Sequence, residues 1–135
     1  MSVFASDKAK RVIGVELNKD AVRDAKINAK KNEVENITFY AEDAGRFMEQ
    51  VAREKSSVDV VFMDPPRNGS SEQFLKSLLI LKPKKVVYVS CGPDTLARDL
   101  KILTKGGYKV KKAECVDMFP HAALEHVETV CLLER

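Results

Sequence analysis

The strongest constraint on the fold is an alternation. Four times in this chain a short apolar run ends at polar residues and then gives way to a stretch with helical periodicity. Val12-Ile13-Gly14-Val15 runs into Glu16 and reads as a buried parallel strand. Asn18 or Asp20 can cap the segment that follows, where Ala21, Val22, Ala25, Asn28 and Ala29 share one helical face. Lys19, Arg23, Lys26, Lys30 and Lys31 occupy the other face, and Asn32 is a stop signal. The unit recurs with Ile37–Ala41, which is closed by Glu42-Asp43 and followed by a helix through Phe47, Met48 and Val51. Val58–Met63 meets Asp64-Pro65-Pro66, and the next helix, carrying Phe74, Leu75, Leu78, Leu79 and Leu81, must stop before Pro83. Val86–Val89 ends at Ser90-Cys91, Pro93 suits a first helical turn, and Gly106-Gly107 closes the helix of Leu96, Leu100 and Leu103. Tyr108–Val116 and Val127–Leu133 form a β-rich tail, read as an antiparallel pair. Four strand–helix units followed by two strands predict a doubly wound, mostly parallel α/β sheet.

Composition narrows the class further. With 135 residues, 44% of them hydrophobic and 32% charged, the chain fits one domain spanning 1–135 and is neither disordered nor fibrous. No apolar run approaches the ~20 residues of a membrane helix, and the first residues lack the basic and apolar regions of a secretory signal. Three cysteines, an odd number without a paired CxxC, argue against a disulfide framework or a zinc site and for a cytoplasmic location. A net charge of +3 is compatible with a polyanionic partner without implying one.

In a doubly wound sheet, ligands sit beyond the carboxyl ends of the strands. The polar residues there are Glu16, Asp43, Asp64 and Cys91. A carboxylate at Glu16 can accept from both hydroxyls of a nucleotide ribose, or it can be a solvated helix cap. Asp43 can accept from an adenine amino group, although capping is the simpler role. Asp64-Pro65-Pro66-Arg67-Asn68-Gly69 is more distinctive, because two prolines fix φ and withhold two amide donors, giving a stiff turn after a buried strand. Such a turn aims Asp64 at a planar base or a cofactor amine, and Arg67 at a phosphate or a neighbour. Cys91 precedes a helix N-terminus, where unpaired amides and the helix dipole favour a thiolate nucleophile. Its alternative is a small buried hydrophobe, the role that suits Cys115 and Cys131 inside their strands. In the tail, His126 and Glu128 flank Val127 and share a strand face, so a carboxylate there can act as a general base. His121 and Glu125 do not make an HExxH metal site, and the lysines at 82, 84, 85, 105, 109, 111 and 112 read as solvated faces.

Asp64-Pro65-Pro66-Arg67-x-Gly69, then Val86-Val87-Tyr88-x-Ser90-Cys91 with Thr95, and finally Asp117-Met118-Phe119-Pro120-His121 with His126-Val127-Glu128 resemble the RNA 5-methyluridine methyltransferases over essentially the whole chain. The resemblance implies a Rossmann-like, S-adenosylmethionine-dependent methyltransferase fold and methylation of uracil C5 in ribosomal or transfer RNA. It also implies Cys91 as nucleophile, Glu128 as base, Glu16, Asp43 and Asp64 at the cofactor and substrate pocket, and Arg67 on the substrate. The chemistry agrees, because uracil C5 becomes nucleophilic only after a thiolate adds to C6. Family members carry a central strand and a glycine-rich loop ahead of the Glu16 strand, so weak cofactor binding is expected of this chain. Gly92 stands where the family commonly has Asn, and the stretch from His121 to His126 is about two residues longer than usual. Without a central strand, the Glu16 and Asp64 strands can leave a gap, pair directly, or be covered by a second copy, and a homodimer is the expected solution. The alternative function is a non-catalytic RNA- or partner-binding module. An adenine amino-methyltransferase fits poorly, since Arg67 occupies the place of that motif's stacking aromatic.

Overall fold

A computed structural model describes residues 1–118 and 127–135. These fall into two compact units, Met1–Met48 and Glu49–Arg135.

In the first unit, β1 (Val12–Glu16) and β2 (Ile37–Ala41) pair in parallel, with Val12 opposite Ile37 and Glu16 opposite Ala41. The crossover is α2 (Lys19–Lys31), whose N-cap Asn18 accepts hydrogen bonds from the amides of Asp20 and Ala21 at 2.9 and 3.3 Å. Asn32 is its C-cap, and Val22 and Ala29 are its buried residues. Asn36, just before β2, donates to the carbonyls of Ser6 and Ala9, at 3.0 and 2.8 Å, and so ties down α1 (Ser2–Ser6) and the segment leading to β1. Gly14 faces Phe39 across the ladder; a Cβ there would lie 2.5 Å from the ring, so the glycine makes room for an aromatic.

The second unit is a sheet of β3 (Val60–Met63), β4 (Lys85–Ser90), β6 (Val127–Glu134) and β5 (Lys109–Asp117), in that spatial order. β3 and β4 are parallel, while β6 runs antiparallel to both β4 and β5, so the tail has the expected direction. Helix α3 (Ala44–Arg53) lies across the boundary of the units; α4 (Glu72–Leu81) and α5 (Pro93–Lys105) belong wholly to the second and contact each other. Ser71 caps α4, and Pro93 opens α5 as its sequence signal requires. One strand face feeds the core: Val61 and Met63, Val86 and Tyr88, Cys131 and Leu133 are buried, as are Phe74, Leu75, Leu78, Leu96 and Leu103 from the helices. Tyr108 adds its hydroxyl to this core by donating to the Pro83 carbonyl at 2.7 Å, and Arg135 stacks over its ring. β5 is exposed at every position, and its register to β6 slips between Val110 and Lys112.

One expectation needs correction. The strand ending at Met63 is not buried on both faces, since Val60 and Phe62 are 42% and 49% exposed.

Candidate active site at the strand ends

Parallel pairing sets the direction of the first two carboxylates. Glu16 ends β1 and Asp43 follows β2, so the register of Glu16 with Ala41 brings both to one edge of that ladder. Each is exposed, and each already accepts one local backbone amide: Asn18 N–H to Glu16 Oε1 at 2.8 Å, and Arg46 N–H to Asp43 Oδ1 at 3.0 Å. Capping and ligand binding are therefore compatible, because a carboxylate has lone pairs for several donors.

Asp64 and Cys91 occupy the matching edge of the second unit. β3 and β4 run in register from Val60–Lys85 to Met63–Tyr88, and Asp64 follows Met63 directly. Pro66, Arg67, Asn68 and Gly69 then make a turn closed by the Gly69 amide on the Pro66 carbonyl at 2.8 Å, with Gly69 at φ +80°. Cys91 is half-buried. The turn it begins is locked by Ser90, whose hydroxyl donates to the Gly92 carbonyl and accepts from the Gly92 amide, both at 3.1 Å.

Glu128 arrives from the opposite direction. Antiparallel pairing of β4 with β6 places Ser90 opposite Thr129, so Cys91 and Glu128 are the next residues along each chain at that edge. Glu128 is half-buried and pairs in register with Val116 on its other side. Cys91 and Glu128, 37 positions apart in sequence, thus stand one step beyond the same cross-strand pair. The other tail residues singled out by sequence, His121, Glu125 and His126, lie outside the described residues. Among the described residues no group of His, Cys, Asp and Glu is arranged to hold a metal.

The thiols differ from one another. Cys131 is buried, and desolvation, with the nearby Cys115 adding to it, pushes its pKa up. Cys115 corrects the sequence expectation: it is exposed, with its sulfur 3.8 Å from Thr129 Oγ1, because β5 is an edge strand uncovered along its length. Alkylation therefore discriminates Cys91 from Cys131 but not from Cys115.

Sequence reasoning missed a buried cluster beside this edge. Asp99 of α5 is fully buried. Its Oδ2 accepts from the Tyr88 hydroxyl at 2.7 Å and from the Ser70 amide at 2.8 Å, and its Oδ1 accepts from Arg98 Nε at 2.9 Å. Burial, and next the hydrogen bond to Asp99, drives the Tyr88 pKa far up. The signal was present: Asp99 sits between Leu96 and Leu103 on the apolar stripe of its helix, where an unpaired carboxylate would be costly.

In each unit a parallel pair of strands is joined by a helical crossover, the second unit adds an antiparallel closing pair, and both have polar residues at the strand ends, as in a Rossmann-like methyltransferase fold. The comparisons agree. The chain is similar to the Pyrococcus abyssi tRNA (uracil-54, C5)-methyltransferase, solved in complex with S-adenosyl-L-homocysteine, at TM-score 0.79 and 34% identity over 97% of this chain and 30% of that one. Precorrin-6y C5,15-methyltransferase from Geobacter metallireducens, at TM-score 0.76 and 20% identity over 99% of this chain and 74% of that one, shares the fold. The sequence model of the tRNA (Uracil-5-)-methyltransferase family matches residues 1–135, and this chain belongs to that family. Uncharacterized RNA methyltransferases of Listeria innocua and Bacillus cereus are 47% and 46% identical to it over 98% and 100% of its length. The chain spans 29% of the length of each of these relatives.

Proposed function

We propose that this chain is the catalytic portion of an S-adenosylmethionine-dependent RNA methyltransferase acting on C5 of uridine in transfer or ribosomal RNA, with residues 1–135 as one partial catalytic domain. The observation that carries the reading is the β4–β6 register, in which Cys91 and Glu128 each lie one step beyond the Ser90–Thr129 pair. Family membership and the name of the Pyrococcus relative support the substrate class.

In this reading Cys91 Sγ adds to uracil C6, and the electron pair displaced from the C5–C6 bond makes C5 an enolate carbon that can accept a methyl group. Asp64, held on the turn after β3, orients the base, and Arg67 on the same turn steadies the enolate. Once C5 carries both methyl and hydrogen, Glu128 removes the proton, the C5–C6 double bond re-forms and the Cys91 thiolate leaves. The exposed carboxylates of Glu16 and Asp43 suit the hydroxyls and amine of a nucleoside, so these two residues would hold that part of S-adenosylmethionine. When bound, that cofactor supplies a methyl group made electrophilic by a sulfonium. The partners of this reading are RNA and a second copy of the chain, in the cytoplasm; no described helix is long and apolar enough to cross a membrane.

Transfer to C5 must expel the C5 hydrogen. RNA labelled with tritium at uracil C5 should therefore release one tritium to water for each methyl group gained. Methylation without tritium release places the reaction elsewhere on RNA, and the absence of both leaves a non-catalytic binding module. Sedimentation at micromolar concentration tests the second copy: a dimer is expected, and a monomer at every concentration removes it.

A further inference from the structure

One face of α5 grips the backbone of the turn that carries Asp64 and Arg67. Thr95 Oγ1 is directed at the carbonyls of Arg67 and Gly92, both at 3.1 Å, and so bridges the substrate turn and the cysteine turn. One helical turn further on, Arg98 Nη2 donates to the carbonyls of Asn68 and Ser70 at 3.1 and 3.2 Å while its guanidinium pairs with Asp99. Asp99 in turn takes the Ser70 amide and is fixed from the sheet side by Tyr88. The fit is close at both turns. A Cβ on Gly69 would lie 2.5 Å from Arg98 Nη2 and 3.0 Å from Asp99 Oδ2, and a Cβ on Gly92 would lie 3.0 Å from the Arg67 carbonyl. The contacts between α5 and the Asp64–Ser70 turn span 28 to 30 residues, so they are not by-products of local turn geometry.

We infer that Thr95, Arg98 and Asp99 are positioning residues that lock the Asp64–Ser70 turn to the Cys91 turn, so that the groups orienting the base and the nucleophile keep one geometry. The catalytic half of this statement rests on the function proposed above; the mechanical half does not. Proline at 65 and 66 stiffens the turn itself but cannot fix its direction relative to Cys91. The α5 face supplies that direction, and a misplacement of about 1 Å is enough to slow a reaction ~100-fold.

The test uses Arg98→Ala and Thr95→Val, whose side chains are not in the hydrophobic core, together with the conservative pair Arg98→Lys and Thr95→Ser. In the purified chain, amide exchange at Gly69 and Ser70 should speed up about tenfold or more in Arg98→Ala while amides of β4 keep their protection. Thr95→Ser should restore wild-type behaviour. Arg98→Lys should restore it only in part, because one ammonium cannot serve Asp99 and two carbonyls as the guanidinium fork does. In the methyl-transfer assay kcat should fall ~10- to 100-fold with KM for S-adenosylmethionine unchanged. Unchanged exchange at Gly69 and Ser70, or an equal loss of protection throughout β4, overturns the lock. A loosened turn with an unaltered kcat overturns its positioning role. If wild-type chain releases no C5 tritium, the functional reading falls, and the exchange data still judge the lock.

Discussion

Two edges of this molecule present polar groups beyond parallel strands, and they are held in opposite ways. At the β1–β2 edge, Glu16 and Asp43 each bond an amide two or three residues ahead and are otherwise exposed to solvent. At the β3–β4 edge, the turn after Asp64 is tied to α5 by contacts spanning 28 to 30 residues, and their hub is a carboxylate without solvent exposure. Local caps form wherever a helix starts and tolerate substitution. A buried long-range cluster forms only with the whole unit and is strict about shape and charge. The first arrangement suits residues that wait for a ligand to complete their bonding, and the second suits residues whose direction must be set beforehand.

The contrast predicts a graded series of losses. Cys91→Ser should abolish C5 methylation, on the order of a thousandfold or more, since a serine alkoxide is not available at neutral pH. Glu128→Gln should slow turnover ~100- to 10,000-fold, and because the adduct still forms but cannot lose its proton, it should build up as an RNA–protein species on denaturing gels. Failure of that species to accumulate would remove Glu128 from the base role. Gly69→Ala should cost about 2–3 kcal/mol in urea unfolding, since it forces a β-carbon into positive φ and against Arg98 and Asp99. At the other edge, Asn18→Ala should cost only ~1 kcal/mol, the usual worth of one helix cap. A loss there equal to that of Gly69→Ala would erase the distinction between the edges.

A pH titration probes the buried side of the comparison. Tyr88 and Tyr108 both have raised pKa values, chiefly through burial. Above about pH 10, where an unfolded tyrosine ionises, the unfolded chain therefore holds fewer protons than the native one, and stability falls as pH rises. Each tyrosine contributes stability that is present in full below that pH and is lost above it, with a slope of up to ~1.4 kcal/mol per pH unit. Tyr88→Phe should flatten the alkaline slope, though it also leaves Asp99 short of one donor.

How much of this could be read from sequence follows the same division. Asn18, Asn32, Ser90-Cys91, Pro93 and Gly106 act through neighbours a few residues away, so capping and turn rules place them correctly. The antiparallel tail was legible because only ten residues separate its two predicted segments, fewer than a parallel crossover needs. Asp99 was not, since its partners Tyr88, Arg98 and Ser70 come from a strand, a helix and a loop. The exposure of Cys115, Val60 and Phe62 was equally hidden, because burial depends on what covers a strand and not on the strand's own composition. Glu128 lies between: alternation gave its face, and only the β4–β6 register gave its neighbour.

The slipped register of β5 has a consequence for how the protein behaves when crowded. Among the described residues nothing covers that strand on either face or along its outer margin, a shape on which another extended peptide could grow by backbone pairing. Lys109, Lys111 and Lys112 place like charges along it, and the irregularity at Val110 to Lys112 breaks the even spacing of amides and carbonyls that an incoming strand would need. Concentrated solutions are thereby protected from fibril-like growth at this margin, and the protection comes from three side chains and one misaligned step in the chain.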